Sequence, residues 1–410
     1  MNTDVTINRL GHQGDGIADG PVFAPRTLPG EVVSGVLEGT QLNEIRIVTP
    51  SADRVAPACR HYKACGGCQV QHASDGFVAH WKQGLVQNAL SSQGLEPEMR
   101  SILISPANSR RRATLAVRRT KKGAMAGFHA RASDVITQVP DCQLLHPSIL
   151  AAIPMTEELA IQGTSRKAAL AVTLTCSDEG LDVSVTGGKP LDGPLQQALA
   201  QIAQVHGMAR LSWDGEVIAI SAPPAQVFGV AQVVPPPGAF LQATREGEAA
   251  LVSAVCEIAE GASQIADLFA GCGTFSLPLA GLGEVLAVEG DAQAVEALDK
   301  GWRKATGLKH LTTEARDLFR RPLLPDELAR FGVVVMDPPR AGAAAQVAEL
   351  AKAQVAKIAY VSCNPVTFAR DARVLTEAGY SLDWVQVVDQ FRWSAHTELV
   401  ASFTRLAAKK

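Results

Sequence analysis

The chain has 410 residues, of which 47% are hydrophobic and 19% charged, and its formal net charge is -3. This length provides for roughly two to four domains with buried cores, and the near-neutral charge excludes a uniformly basic coat, so any polyanion must meet a local patch. The polar, acidic start and the lack of an apolar run of about 18 residues predict a cytoplasmic protein with no membrane partner.

Residues 1–52 contain short alternating apolar runs between glycine-rich turns, including VTINRL, PVFAPRTLPGEVVSGVL and NEIRIV. Such spacing is typical of a small β-barrel of the size of an OB fold. The alternative is an N-terminal β-extension without a ligand of its own.

Three cysteines follow within residues 53–80, in CRHYKACGGCQVQH: Cys59, Cys65 and Cys68. Cys142, after the turn-forming Pro-Asp of VPDCQLLHP, is the best candidate for a fourth ligand of the same metal centre. Four thiolates suit either a tetrahedral zinc ion or an iron–sulfur cluster. The asymmetric spacing differs from the paired CxxC knuckles of zinc ribbons, and it favours a 4Fe-4S cluster over zinc.

The central part, residues 81–234, is rich in predicted strands, with hairpin signals at KKG, SDEG and WDG. Within it, residues 109–123 read SRRRATLAVRRTKKG and hold seven lysines or arginines and no acid. We predict that this block is an RNA-docking face that contacts phosphates without reading the base sequence. A solvated, charged edge of the sheet is the alternative.

Between residues 235–410, helical patterns alternate with short apolar runs such as IADLFA, VLAVE, FGVVVMD and IAYVSC. Strands that are apolar on both faces and separated by helices indicate a doubly wound, mostly parallel α/β sheet. Ligands of such sheets bind at the carboxyl ends of the strands. Residues at these ends are therefore the candidate site.

The first of these strands leads from Asp267 into a turn with Gly271 and Gly273, and the next strand ends at Glu289. Glycines allow a cofactor close to the backbone, and a carboxylate at Glu289 can bind both hydroxyls of a ribose. The turn is shorter than GxGxxG and follows an acid, which favours the sulfonium of S-adenosylmethionine over a dinucleotide pyrophosphate. The alternative is a helix-packing turn with an incidental surface Glu.

Two further strand ends carry reactive groups. The run VVVMDPPR places Asp337 before two prolines that cannot continue a ladder, so its carboxylate lines the pocket. Arg340 stands where amine-methylating enzymes usually have an aromatic residue, which favours a chemistry that needs a cation near a phosphate or carbonyl. YVSCNP places Cys363 at the end of the following strand, beside Asp337.

A thiol at this place suits methylation of uracil at C5. This carbon is a poor nucleophile, and a thiolate that adds to C6 makes C5 enolate-like and able to attack a methyl donor. Glu398 in HTELV, at the start of the last strand, is the candidate base for the C5 proton, with His396 on the same face to orient it or to contact substrate. The alternatives are an unreactive, buried Cys363 and a surface acid at Glu398.

The chain resembles the RNA uracil-5-methyltransferase family over essentially its whole length, most specifically in CRHYKACGGCQVQH, FLQ, DLFAGCGTFSLPLA, DPPRAG, YVSCNP and HTELV. The resemblance implies an N-terminal TRAM domain of the OB type, a central β-rich domain with an iron–sulfur cluster, and a C-terminal Rossmann-like domain that uses S-adenosylmethionine. It implies Cys363 as nucleophile and Glu398 as general base. The implied cluster ligands are Cys59, Cys65, Cys68 and Cys142, and the implied neighbours of the methyl donor are Gln242, Phe269, Glu289, Asp317 and Asp337.

Within this resemblance, a TRAM domain together with the cluster favours a large-subunit ribosomal RNA target, whose uridine is flipped out of its stack. Two features depart from the family pattern: Thr274 replaces a common Asn in the glycine turn, and the only cations of the TRAM-like segment are Arg9, Arg26 and Arg46. We expect a monomer. The alternatives are the same chemistry on transfer RNA, a non-catalytic RNA-binding protein with a methyltransferase fold, and amine methylation.

Overall fold

A computed structural model describes residues 2–406 of the chain. Its strands are β1 (Asn2–Thr6), β2 (Arg9–Leu10), β3 (Gly16–Ala18), β4 (Val22–Ala24), β5 (Val32–Glu38), β6 (Gln41–Thr49), β7 (Glu98–Ile104), β8 (Arg112–Arg119), β9 (Ala124–His129), β10 (Ile136–Gln138), β11 (Ala169–Ser177), β12 (Gly180–Thr186), β13 (Arg210–Trp213), β14 (Glu216–Ile220), β15 (Gln226–Phe228), β16 (Ala231–Val233), β17 (Gln264–Leu268), β18 (Glu284–Glu289), β19 (Leu311–Ala315), β20 (Val333–Met336), β21 (Lys357–Ser362), β22 (Tyr380–Asp389) and β23 (Glu398–Arg405). Its helices are α1 (Asp75–Ser91), α2 (Pro147–Ala151), α3 (Ile153–Gly163), α4 (Gly193–Val205), α5 (Arg245–Ala259), α6 (Ser276–Leu279), α7 (Ala292–Lys304), α8 (Pro325–Leu328), α9 (Ala344–Lys352) and α10 (Pro365–Glu377). None of the helices in this described part combines the length and the apolar composition that crossing a bilayer requires.

The N-terminal strands form one sheet with the order β1-β5-β6-β4-β3-β2. A small apolar cluster that includes Ile7, Val33 and Leu42 is its core. Within residues 2–406, β1 and β2 are the two edges of this order and do not pair with each other. The ladder therefore stays open, and the predicted closed barrel of the TRAM type is not confirmed.

A seven-stranded sheet with the order β10-β9-β8-β11-β12-β13-β14 forms the central unit. The three predicted hairpins are confirmed, because KKG joins β8 to β9, SDEG joins β11 to β12, and WDG joins β13 to β14. Helices α3 and α4 pack on this sheet. Its core holds Leu159, Leu199 and Trp213.

The C-terminal sheet has eight strands in the order β19-β18-β17-β20-β21-β23-β22-β7. The ladders from β19 to β21 are parallel, whereas β23 runs antiparallel to both β21 and β22. Residues of β17 alternate between two apolar clusters, with Ala266 and Leu268 in one and Ile265 in the other. Both faces are thus covered, and the predicted mostly parallel α/β sheet is confirmed.

The segment that precedes the central sheet belongs to the C-terminal unit. Helix α1 packs on α10 and places Val86 and Leu90 in one of the two cores, while β7 pairs in parallel with β22. The domain boundary predicted at residue 81 therefore differs from the structure. The physical reason is that β7 forms hydrogen bonds with the backbone groups of β22, which would otherwise be an exposed sheet edge. This pairing joins distant segments, so no local sequence pattern predicts it.

Candidate active site

Three predicted groups meet where strands of the C-terminal sheet end. Asp337 follows β20, Cys363 follows β21, and Glu398 is the first residue of β23. Because β23 is antiparallel to β21 and Ser362 pairs with Leu399, the next residues outward on the two strands are Cys363 and Glu398. The ladder thus brings the predicted nucleophile and the predicted base to facing strand ends.

The two carboxyl groups at this edge oppose each other's ionisation. Glu398 is 4% exposed, and burial, followed by the nearby Asp337, raises its pKa well above the usual range. Burial and the Glu289 carboxylate raise the pKa of Asp337 to about 7. Glu398 therefore holds its proton at a pH where an exposed glutamate would be ionised.

Cys363 is partly buried and lies in the field of the same acids. Burial, followed by Glu398 and Asp337, raises the pKa of its thiol to about 11, while the Arg340 cation acts in the opposite direction. The thiol is therefore protonated near neutral pH in this environment. A further positive charge in the pocket is what would favour the thiolate.

Arg340 and His396 form the polar rim beside the thiol. The Arg340 Nη2 group donates to His396 Nδ1 over 2.9 Å. Partial enclosure of the ring and the Arg340 cation lower the pKa of His396, so the imidazole accepts as a neutral group. His396 lies in the segment before β23 rather than on the strand, and its orientation toward Glu398 stays a prediction.

A cleft of about 500 Å³ opens over these residues. Its walls include Cys363, Arg340 and His396 from the C-terminal unit, together with His12 of the N-terminal segment and Arg131 of the central unit. All three units of the chain therefore border the space in front of the thiol.

The glycine turn after β17 has the shape of a cofactor cradle. Gly271 and Gly273 adopt the left-handed region, with φ of 53° and 97°, and the Gly271 amide donates to Glu289 Oε2 over 3.0 Å. Phe269 also has positive φ, at 63°, and its ring lies 5.5 Å from that of Phe319. A partly exposed carboxylate and an aromatic face beside an open turn suit a ribose and an adenine ring.

Asp317 and Asp267 occupy different places at this cradle. Asp317 is exposed, and its Oδ1 accepts from the Phe319 amide over 2.9 Å. Asp267 is fully buried and accepts from the Ser276 hydroxyl, and among residues 2–406 no donor reaches its Oδ1 atom. Burial raises the pKa of Asp267 to about 7, and the hydrogen bond from Ser276 ties this carboxyl group to the start of α6.

Sequence reasoning missed a buried amide, Gln390, which follows β22. Its Nε2 group donates to Gln242 Oε1 over 2.5 Å and to Glu398 Oε2 over 3.4 Å. Gln242 in turn donates to Asp337 Oδ2 over 3.4 Å. A polar residue after a strand carries no sequence signal of this kind, because the contacts join positions far apart in the chain.

The four cysteines of the predicted metal centre are close enough for their charges to interact, but they are not arranged around a single ion. Burial, together with the thiols of Cys142, Cys65 and Cys59, raises the pKa of Cys68 to about 12. Within residues 2–406, no group of three or more His, Cys, Asp or Glu side chains is placed to hold a metal ion. A single zinc ion needs four sulfurs about 2.3 Å from one point, so the predicted metal site is not confirmed.

The basic block of residues 109–123 is not one exposed face. Arg111 is buried, and its guanidinium forms an ion pair of 2.5 Å with Glu248. Lys121 and Lys122, in the turn between β8 and β9, are exposed. The predicted docking face is therefore wrong in extent, because part of its charge is compensated inside the protein.

Comparisons with known proteins identify the family. A family model described as tRNA (Uracil-5-)-methyltransferase matches residues 235–405. An uncharacterized RNA methyltransferase of Rhizobium meliloti (strain 1021) is 44% identical over 98% of this chain and 99% of its own length, and one of Caulobacter vibrioides is 46% identical over 98% and 100%. The 23S rRNA (uracil(1939)-C(5))-methyltransferase RlmD of Shewanella sp. (strain ANA-3) is 32% identical over 97% and 94%.

The fold is shared with a solved enzyme. Pyrococcus abyssi tRNA (uracil-54, C5)-methyltransferase in complex with S-adenosyl-L-homocysteine matches with a TM-score of 0.78 and 23% identity, over 98% of this chain and 99% of that chain. This likeness establishes an α/β methyltransferase fold. With the sequence relatives, it shows that the chain belongs to the RNA uracil-5-methyltransferase family. The protein is an RNA methyltransferase.

Proposed function

We propose that this enzyme methylates C5 of a uridine in RNA, with S-adenosylmethionine as the methyl donor and a covalent bond between Cys363 and C6 of the base. The observation that carries the proposal is the meeting of Cys363 and Glu398 at facing strand ends, with Cys363 lining the cleft. The reaction needs one nucleophile and one base at the same ring. This pair supplies both.

The methyl donor would lie at the neighbouring strand ends. Glu289 would bind the ribose hydroxyls, and Phe269 and Asp317 would border the adenine. Gln242 and Asp337 would frame the methionine end, where a carboxylate suits the positive sulfonium. When bound, S-adenosylmethionine supplies an electrophilic methyl group.

The proposed methylation has three steps, in which each bond that forms replaces one that breaks. The Cys363 thiolate forms a bond to C6, and the C5=C6 electron pair moves into an enolate. C5 then takes the methyl group, and the pair of the broken carbon–sulfur bond stays on the donor sulfur. Glu398 takes the C5 proton, the C5–H pair re-forms the double bond, and the thiolate leaves C6.

The charges of the pocket suggest an order of binding. Burial and the carboxyl groups of Glu398 and Asp337 favour the neutral thiol of Cys363, and the Arg340 cation opposes them. A bound sulfonium would add positive charge and favour the thiolate. We infer that the donor binds before the uracil is attacked.

We propose ribosomal RNA as the target, with transfer RNA as the second candidate. The ribosomal target is supported by a relative of nearly full length that is named a 23S rRNA methyltransferase. The transfer RNA target is supported by the description of the family model and by the name of the solved structure. Methylation of purified ribosomal and transfer RNA, followed by nucleoside analysis for 5-methyluridine, separates the two.

We further propose that Cys59, Cys65, Cys68 and Cys142 hold a 4Fe-4S cluster with a structural role. The support is that neighbouring thiols add to the effect of burial in raising the pKa of Cys65, Cys68 and Cys142, and that the asymmetric spacing of the cysteines in the sequence differs from paired CxxC zinc knuckles. Gln69 and Val70, directly after Cys68, donate backbone hydrogen bonds to the Trp393 carbonyl in the turn before β23. Iron and sulfide content after anaerobic purification, with Cys142→Ser as control, tests this, and a protein that contains zinc alone contradicts it.

RNA that contains 5-fluorouridine tests the covalent mechanism, because fluorine at C5 cannot be removed as a proton. We expect wild-type protein and S-adenosylmethionine to give an adduct that survives denaturation, and Cys363→Ala to give none. Wild-type turnover by Cys363→Ala would overturn the mechanism. Retained RNA binding without any turnover by the wild type would indicate the non-catalytic alternative. The monomeric state and the cytoplasmic location stay predictions.

A further inference from the structure

We propose that Gln390 is a positioning residue for proton removal, which holds the Glu398 carboxylate in place and ties it to Gln242 on the donor side. The proposal rests on the proposed function, since it gives Glu398 the role of base. It concerns a residue that does not itself touch the reacting atoms. Its role is to orient a group that does.

The orientation of the Gln390 amide is set by the backbone. The Ala243 amide donates to Gln390 Oε1 over 2.8 Å, and a backbone N–H can only donate. The Nε2 end must therefore face the other way, toward Gln242 Oε1 at 2.5 Å and Glu398 Oε2 at 3.4 Å. One fixed amide thus gives its two protons to both residues.

The orientation of Gln390 also fixes that of Gln242, on the side of the pocket where the methyl donor would bind. Because Gln242 Oε1 accepts from Gln390, the Gln242 Nε2 group points to Asp337 Oδ2 at 3.4 Å. Two amides therefore separate the two acids of the site and supply each with a donor. Gln390 is 2% exposed, so water does not readily replace it.

Space for Gln390 comes from a glycine in the first turn of α5. A Cβ atom at Gly247 would lie 2.7 Å from Gln390 Cβ and 3.1 Å from its Oε1. It would also lie 2.9 Å from the Thr244 hydroxyl, which caps α5. Because the Cβ atom of Gln390 is fixed to the backbone, these distances require the start of α5 and the residues after β22 to move apart. Gly247→Ala therefore displaces the Gln390 amide without changing its chemistry.

The chemical consequence concerns the charge of the base. Glu398 must be ionised to take the C5 proton, and the groups that face it are Asp337 and Arg340 after β20 and Cys363 after β21. The Gln390 donor favours the anionic form, against the effect of burial and of Asp337. Loss of this donor would leave the base protonated over a wider pH range.

Gln390→Met is the test, because methionine has a similar volume and no donor. With ordinary uridine RNA, we expect methyl transfer to continue and proton removal to slow. A denaturation-resistant protein–RNA adduct then accumulates, kcat falls about 10-fold or more, and the acid limb of the kcat profile moves up by about one pH unit. The matched control is Gln386→Met on β22, whose amide donates to the Ser101 carbonyl and for which wild-type kinetics are expected.

Gly247→Ala is the second variant, and it keeps the proposal testable if Gln390→Met does not fold. We expect the same adduct and the same direction of the pH shift, with a cooperative thermal unfolding transition at a lower temperature than that of the wild type. If the folded variants turn over like the wild type, with an unchanged pH profile and no adduct, the positioning role is overturned while the proposed function stands. If wild-type protein forms no 5-methyluridine, or Cys363→Ala keeps its turnover, both are overturned.

Discussion

Two buried carboxyl groups lie at adjoining ends of β22 and β23, and their surroundings differ in charge. Asp389 is 1% exposed, and its Oδ1 accepts from the Lys82 ammonium over 2.6 Å and from the Phe391 amide over 3.0 Å. Glu398 is 4% exposed, and its donor is the neutral amide of Gln390. One acid faces a buried cation, whereas the other faces a second acid, Asp337.

This difference separates a structural acid from a reactive one. Lys82 is 0% exposed, and its pair with Asp389 joins α1 to the end of β22, so its removal would leave an uncompensated charge in the core. Glu398 has a raised pKa because its environment opposes its charge. A carboxylate with a raised pKa is a stronger base once it is ionised, which suits a general base.

The largest effect is expected for Glu398→Gln. Loss of the base lowers turnover by about 10²–10⁴-fold, while the adduct with uridine RNA accumulates because the earlier steps remain. The thermal unfolding temperature stays the same or rises, since the change removes a group whose charge is opposed by burial. A fall in stability without any adduct would mean that Glu398 serves the fold as Asp389 does.

Lys82→Met tests the structural role of the ion pair between Lys82 and Asp389. Removing one partner of a buried ion pair costs about 3–5 kcal/mol, so we expect a loss of that size in the free energy of unfolding by urea. In the double variant Lys82→Met/Asp389→Asn, the uncompensated charge is gone and much of the loss is recovered. Equal losses for the single and the double variant would show that the uncompensated charge of Asp389 is not what destabilises the single variant.

The pH dependence of Cys363 alkylation tests whether burial and the carboxyl groups of Glu398 and Asp337 raise the pKa of this thiol. Because burial and the two carboxyls raise the pKa of Cys363 to about 11, the thiol is protonated below that pH, and its rate with iodoacetamide rises roughly tenfold per pH unit through neutral pH. The alkylation rate of the Cys363→Ala variant gives the contribution of the other thiols, which is subtracted.

The same alkylation experiment with the methyl donor present tests whether a positive charge activates Cys363. S-adenosylmethionine carries a sulfonium charge that S-adenosylhomocysteine lacks, so we expect the former to raise the alkylation rate and lower the apparent pKa of Cys363, and the latter to do neither. Equal effects of the two compounds would mean that charge does not activate the thiol.

The smallest effect is expected from the exposed part of the basic block. Lys121→Ala/Lys122→Ala removes two solvated cations and leaves unfolding unchanged. If both contact phosphates, the slope of log affinity for RNA against log salt falls by about two. An unchanged slope would exclude this turn from the RNA interface.

Much of the site could be predicted because strand ends are visible in the sequence. Apolar runs that stop at Asp337 before two prolines, or at Cys363 before Asn-Pro, fix both the strand and the residue after it. Carboxyl ends of parallel strands meet at one edge, so proximity follows once the α/β pattern is known. The roles of Cys363 and Glu398 stay predictions until the experiments above are done.

The rest depended on contacts between distant parts of the chain. The pairing of β7 with β22 and the ion pair between Arg111 and Glu248 join segments that look independent in the sequence. The sequence of residues 109–123 therefore predicts more exposed positive charge than the structure has. Gln390 was missed for the same reason, since its importance lies in three partners from elsewhere in the chain.

The α/β pattern, the hairpins and the reactive residue types follow from the sequence alone, because periodicity and turn chemistry act over a few neighbouring residues. The folded structure is needed to know which acid has a cation beside it, which amide points toward a base, and which arginines are buried. Those properties depend on desolvation and on the sum of nearby charges, and both are set by the folded packing of the whole chain.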